Sequence, residues 1–282
     1  TGLILLVDSW QLVMILYGLL GVTAAALFWA VVRERPEEHP RTNSAERRLI
    51  AAGRLPVPSE PMRFSALPVE RPAAFPGRLP VERLMASPSM WLMCVSQFTT
   101  NIGWVFLVTL LNTYMTQAKH VDDETGALLV TLILLAGMPG MLLGGFITDA
   151  ATRALGLRWG RSLPLAVSRF TAAAAFFVLP WLDSYVTAAF AFAVVAFSTD
   201  LGVPGCWAYM QDVGGKHVGS ILGWGNMWGN LGAAISPPLL EWLNRTGGKV
   251  PNWNIGFAVC VVSFVISGVV SLGIDATKPI DG

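Results

Sequence analysis

"GGFITDAATRALGLRWGR", residues 144–161, closes an apolar run that starts near residue 125. The run stops on Asp149, and Arg153, Arg158 and Arg161 follow within twelve residues. A helix that crosses a bilayer needs roughly 17–25 mostly apolar residues, and charge returns where the chain meets water. The stretch therefore reads as the end of a membrane-crossing helix.

Composition extends this reading to the whole chain. Its 282 residues are 54% hydrophobic and 13% charged, with a mean hydropathy of +0.56. An average soluble domain carries about 25% charged residues, so the main solvent here is lipid. The net charge of +1 leaves no basic footprint for nucleic acid. Cys94, Cys206 and Cys260 lie in apolar runs without metal-ligand spacing and read as small packing residues. No metal and no cofactor is expected.

Further spans are expected at 11–32, 90–115, 163–182, 186–210, 218–242 and 253–274, which makes seven with 125–149. "TGLILLV" at the start reads as the tail of an eighth. The chain opens on Thr1 with no basic region ahead of an apolar run, so a signal peptide is not expected. Residues upstream of that tail are expected to be missing. Lys and Arg distribute fifteen to three between alternate loops, with Arg169 set aside. By the positive-inside rule, residues 33–83, the 150–162 loop, the 211–217 loop and the C-terminus are expected in the cytosol. Arg169, early in its span, is expected to snorkel to that same side.

The chain divides into residues 1–32, a 33–89 linker, a 90–275 bundle and a 276–282 tail. The linker holds ten prolines and ten arginines and reads as extended and cytosolic, with one short helix near Ala45–Ala52. The spans of the bundle differ. Gln97, Thr100, Asn101, Trp104 and Asn112 lie toward one side of span 90–115, and span 186–210 carries Ser198, Thr199 and Asp200. Such faces must point at protein or at a water-filled cavity. Spans 125–149 and 218–242 are glycine-rich and suit close packing, whereas 163–182 and 253–274 are nearly all apolar and suit lipid.

Six helices after a long linker, paired as polar, glycine-rich and apolar, resemble the C-terminal half of a major facilitator superfamily transporter. "RERPEEHP…SAERRLI", the 144–161 stretch, "WAYMQDVGGKHVGSILGWGNMWGNLGAAISPPL" and "IDATKPI" resemble the anion:cation symporter family of hexuronate- and galactonate-type carriers. The resemblance implies an all-α polytopic membrane protein of the major facilitator fold. It would comprise the C-terminal six-helix bundle plus the last helix of the N-terminal half. It further implies a monomeric carrier of small organic anions, driven by a proton or other cation in the bacterial inner or plasma membrane. Two departures stand out: span 90–115 has no basic residue, and Asn112 stands where the family commonly has proline.

Three groups are candidates for function. Asp149 and Arg153 are one turn apart, with Gly145 on the same face. The resemblance implies that Gly145, Asp149, Arg153, Arg158 and Arg161 form a cytosolic charge motif that gates; the alternative is that the arginines only fix topology. Asn226 and Asn230 share a face, with Gly225, Gly229 and Ala233 beside it and Trp224 and Trp228 roughly opposite. Carboxamides both donate and accept, which suits the hydroxyls and carboxylates of a sugar acid. Family likeness favours Asn226 as a substrate contact; interhelical bonding is the alternative. Gln97, Asn101 and Trp104 form a facing stripe that lines a cavity or packs in the core. Asp200, the acid deep within a span, is expected to have a partner or water; it is a candidate substrate-binding or protonatable residue, the alternative being a carboxylate that satisfies loose backbone groups at a kink. Pro204 cannot bond the Asp200 carbonyl, so with Gly202 and Gly205 a bend or hinge is expected there. No basic residue of another span is an obvious partner for Asp200. Tyr209 and Trp207 fit an aromatic belt as well as they fit substrate stacking.

Competing functions are a sugar, nucleoside or drug carrier, a membrane-embedded enzyme, and a receptor that does not transport. An enzyme is disfavoured, since the sequence lacks Gly-x-Ser-x-Gly, His-Glu-x-x-His and a phosphate-cradling loop.

Overall fold

A computed structural model describes residues 10–32, 42–45, 47–48, 81–245 and 252–280, and every described element is helical. The chain forms two compact units, residues 1–73 and 74–282. In the first, α1 runs Trp10–Val31, with Val13 buried and most of its other side chains exposed. Ser44, Ala45, Arg47 and Arg48 are helical; the rest of the short helix expected in the linker lies outside the described residues.

The second unit is a helical bundle. Residues 81–86, expected as extended linker, form the short helix α2 (Val81–Ala86), because Leu84 is buried in the bundle's lower core. Helix α3 (Pro88–Gln117) starts on the Ser87 cap, whose hydroxyl accepts from the Met90 N–H at 3.3 Å. It carries a π-helical stretch over Phe106–Leu110. Asp122 caps α4 (Asp123–Leu135) by accepting from the Thr125 N–H at 2.9 Å, and this bond holds its carboxyl below the usual range. After Ala136 the chain continues as α5 (Gly137–Val178).

At 42 residues α5 is too long for one crossing, since a straight helix of that length spans about 60 Å and the hydrocarbon core is about 30 Å thick. It breaks at Gly156, where φ is 80° and ψ is 171°. Residues 149 and 161 would stand roughly 18 Å apart along one helix. Their side chains approach to 3.9 Å instead, so the chain doubles back and α5 is two limbs. The limbs carry the expected spans 125–149 and 163–182. A β-carbon at Gly156 is strained by about 1–3 kcal/mol in this conformation. Gly156→Ala is expected to lower the midpoint of thermal unfolding in detergent by roughly 2–10 °C. An unchanged midpoint would mean that the turn does not require glycine.

Helix α6 (Tyr185–Leu201) begins on the Ser184 cap and ends at Gly202, and α7 (Val203–Gly214) resumes with Pro204 in its first turn. The interruption lies where Pro204 predicts it. Helices α8 (Val218–Arg245) and α9 (Trp253–Leu272) complete the bundle. By length and composition, five described stretches are apolar enough to cross a membrane: Gln11–Val31, Pro88–Gln117, Asp123–Trp181, Tyr185–Gly214 and Trp253–Leu272. Asp123–Trp181 holds two of the seven expected spans. Helix α8 is long enough at 28 residues but is punctuated by glycines, Asn226, Asn230 and Pro237–Pro238, and is not among the five.

The core lies in two layers. One is aromatic: Phe106 sits 5.5–6.3 Å from the rings of Phe176, Phe192, Trp253 and Phe257. The other, nearer the arginine-rich end, gathers Met90, Met93, Cys94, Cys206, Tyr209, Met210 and Ile221. The three cysteines are free and buried. Residues 276–282 were read as a tail, yet Ala276 and Ile280 are buried in this layer and the Ile280 N–H donates to the Val213 carbonyl at 2.9 Å. Ser89 ties the same segment down by donating to the Asp275 carbonyl and accepting from the Asp275 N–H at 2.8 Å. Tyr209 is 1% exposed and donates to Ser89 at 2.9 Å, so it anchors the tail rather than stacking on a solute or sitting in a belt.

Candidate functional site

Helix α3 bears two polar faces. Ser96 and Thr100 lie 2.8 Å from the Ser267 hydroxyl of α9, within a buried hydroxyl cluster that includes Ser271. Thr100, grouped by sequence with the polar stripe, therefore holds two helices together. The other face carries Gln97, Asn101 and Trp104, all half-buried. It packs on α8: a β-carbon at Gly229 would lie 2.9 Å from Asn101 Nδ2 and 3.7 Å from Gln97 Cβ. Asn101 donates to the Gln97 carbonyl of its own helix at 2.8 Å. Gly232 lies against the Phe98 backbone, so the helices touch with no side chain between them.

The stripe of Gly225, Gly229 and Gly232 thus turns Asn226 and Asn230 toward the open side of the bundle, where both are exposed. Asn230 donates to the Asn226 carbonyl at 3.0 Å. Trp224 and Trp228 point the other way and cluster with Trp91, at 6.0 and 5.4 Å between ring centroids. Gln97, Asn101, Asn226 and Asn230 are thereby carried by two helices in direct contact.

Asp200 belongs to a different place. It packs against Gly137, whose missing side chain makes room for Oδ2. Its neighbouring cation is Arg169, on the second limb of α5. Arg169 does not snorkel: it is 1% exposed and donates through Nη1 to the Thr199 carbonyl at 3.0 Å. A β-carbon at Gly202 would lie 3.2 Å from its guanidinium carbon. The burial goes with the interruption of α6: the Thr199 carbonyl, which also accepts from the Gly202 N–H at 3.2 Å, lies at the broken end, and Gly202 leaves room for the guanidinium. Sequence reasoning missed this residue; its signal was a lone arginine inside an otherwise apolar span.

At the arginine-rich end, Arg161 lies between two acids. Its Nε donates to Asp212 Oδ2 at 2.7 Å, and its Nη1 is 3.9 Å from Asp149 Oδ1. Asp149 does not pair with Arg153, whose side chain is exposed. Arg158 is also exposed, with its guanidinium 5.2 Å from the Trp159 ring. Nothing lies within 4 Å of a β-carbon at Gly145; the close approach falls to Gly144, which meets the Leu201 backbone. Asp212, not anticipated, lies in the last turn of α7; like Asp149 it is an acid where an apolar run gives way to charge, and that likeness was its signal. Among the described residues no cluster of His, Cys, Asp and Glu is disposed to hold a metal ion.

The sequence profile of the Major Facilitator Superfamily matches residues 1–237 and 93–280. The chain belongs to this superfamily and is an all-α polytopic membrane protein of its fold. It is 26% identical to a probable anion transporter 4, chloroplastic, of Oryza sativa subsp. japonica, over 93% of this chain and 41% of that protein. It is 24% identical to a probable galactarate/D-glucarate transporter of Escherichia coli (strain K12), over 94% of this chain and 58% of that protein. A probable sulfoacetate transporter of Cupriavidus necator is 25% identical over 97% of this chain and 59% of its own length. The chain spans about half the length of the relatives it matches.

Proposed function

We propose that this chain is the C-terminal part of a secondary transporter for small organic anions, of the sugar-acid kind, coupled to a cation gradient. Two six-helix halves would rock about a site near the bilayer midplane. The observation that carries the reading is the α3–α8 contact, which leaves Asn226 and Asn230 on an open face beside Gln97 and Asn101. Four carboxamides and the Trp104 indole offer donors and acceptors without a charge of their own. That chemistry suits a polyhydroxylated acid whose carboxylate is met elsewhere. The relatives named for galactarate, D-glucarate and sulfoacetate support an anionic cargo. We place the arginine-rich end in the cytosol and read the Arg161–Asp212 pair as a latch on that side, with Asp149 a weaker neighbour and the Gly202–Gly205 interruption as a hinge. The protein acts as a monomer without a cofactor.

Uptake tests this. The protein as its gene encodes it, in proteoliposomes with an imposed gradient, should accumulate a member of a panel of uronates, aldonates and aldarates. A panel without a transported member contradicts the proposal. Asn226→Ala should raise the half-saturating concentration by roughly two- to tenfold, since a hydrogen bond to a neutral hydroxyl is worth about 0.5–1.5 kcal/mol. The yield of folded protein should not change. Asn230→Ala should cost less, because that amide is partly engaged by its own helix. Unchanged affinity in Asn226→Ala would remove it from the site.

A further inference from the structure

Asp200 lies where two interrupted helices meet. Helix α6 stops at Leu201 and resumes as α7 at Val203; α4 stops at Leu135 and resumes as α5 at Gly137. Asp200 is half-buried against Gly137. Among the described residues its carboxylate makes no hydrogen bond. Behind it lies Arg169, 1% exposed, one of whose donors is taken by the Thr199 carbonyl while its Nε has no partner. An unused donor and an unused acceptor of opposite charge thus share one buried neighbourhood without touching. The backbone between them, Thr199 to Gly202, is the interrupted stretch itself. The titratable groups that face the pair are each other and Cys206 of α7. The first limb of α5 meets this stretch of α6 through Gly137, Gly140 and Gly144, and its one acidic residue, Asp149, lies instead beside Arg161.

This arrangement suits a proton rather than a metal ion. The carbonyls at the end of α6 and the carboxylate favour positive charge. Arg169 already supplies it, so a metal cation would meet a fixed like charge in a medium that screens poorly. A proton only neutralises Asp200. Arg169 then rests on the Thr199 carbonyl, as observed. When the proton leaves, the charged carboxylate has one cation within reach, and a small movement at Gly202 closes the pair. Two contacts of one guanidinium, each tied to a protonation state, give the bistable element that coupling requires.

We propose that Asp200 is a proton-binding residue of the transport cycle in this half of the protein, and that Arg169 is the positioning residue that receives its carboxylate on deprotonation. The O–H bond forms on Asp200 with a proton from water on one side and breaks to water on the other. No electron transfer is involved. The inference rests on the transporter reading above.

The test uses the encoded protein in proteoliposomes and the panel anion that wild type accumulates. Two rates are compared: accumulation driven by an imposed proton gradient, and counterflow exchange, which needs no net proton movement. Asp200→Asn should lose accumulation by roughly tenfold or more while keeping counterflow within about twofold of wild type, and its residual uptake should no longer vary with pH. Asp200→Glu should restore accumulation with a displaced pH profile. Arg169→Lys should do the same, and Arg169→Gln should not accumulate. Gradient-driven uptake by Asp200→Asn with the wild-type pH profile would overturn the proposal, as would accumulation by wild type on a sodium gradient alone. If Asp200→Asn does not fold, the glutamate variant decides: an unmoved pH profile overturns the proposal. Wild type that exchanges the anion but ignores the proton gradient leaves a transporter and refutes the proton site. Wild type that neither accumulates nor exchanges any panel member refutes both.

Discussion

Arg161→Ala is expected to lower gradient-driven uptake at least tenfold, and Asp212→Asn should come close to it, whereas Asp149→Asn should lower uptake less than about threefold. The order follows from the geometry. The Arg161–Asp212 bond is 2.7 Å long between side chains 13% and 26% exposed. A charge-assisted bond of this kind is worth about 1.5–3 kcal/mol. The Asp149 contact is 3.9 Å with the acid 68% exposed. Water and salt reduce such a pair to about 0.2–1 kcal/mol. A shift of about 1.4 kcal/mol moves a two-state equilibrium tenfold, so only the first contact can hold the end of α7 against the second limb of α5 in one state. Arg161→Lys keeps the charge without the planar fork and should recover part of the activity. If Asp149→Asn proves as damaging as Asp212→Asn, the latch has been assigned to the wrong acid.

The second large effect belongs to Gly144→Val. A β-carbon there would overlap the Leu201 backbone carbonyl, and one at Gly140 would overlap that of Phe197. The obstacle is main chain on a buried helix, so no side chain can swing away. Overpacking of this sort costs about 1–3 kcal/mol and more where the backbone must move. The displaced segment, moreover, is the one that bears Thr199 and Asp200. The variant should yield little monodisperse protein in detergent, and what is recovered should unfold at a lower temperature. Gly145→Val, one residue on, meets nothing within 4 Å in this bundle and is the matched control. Equal yields from the two would show that the α5–α6 contact is not close.

Much of the architecture was legible because lipid and water impose different compositions, so the ends of the spans announce themselves in charge. The interruption after Asp200 was legible too, since Pro204 removes a specific backbone bond wherever it stands. What escaped was decided by long-range contact. Helical spacing pairs Asp149 with Arg153, but the reversal at Gly156 carries Arg161 to it instead, and a turn dihedral has no periodic signature. Snorkelling assumes that an arginine is free to reach water, whereas Arg169 is claimed by a carbonyl thirty residues away, at the broken end of α6. Thr100 and Asn101 are neighbours on one polar helix, yet α9 takes the first and α8 meets the second. Tyr209 fitted a belt and a stacking role equally well because nothing in the sequence shows that the tail folds under it.

The account stands on the claim that the open face of α3 and α8 lines a wet path reached from each side in turn. Cysteine accessibility tests it most directly. Asn226→Cys would be introduced into the encoded protein in sealed vesicles and treated with a membrane-impermeant thiol reagent from either side. The native Cys94, Cys206 and Cys260 are buried and contribute little background. The account predicts labelling from both sides, slowed when a transported sugar acid is present. A cysteine at 226 that reacts from neither side, with or without the anion, would contradict it.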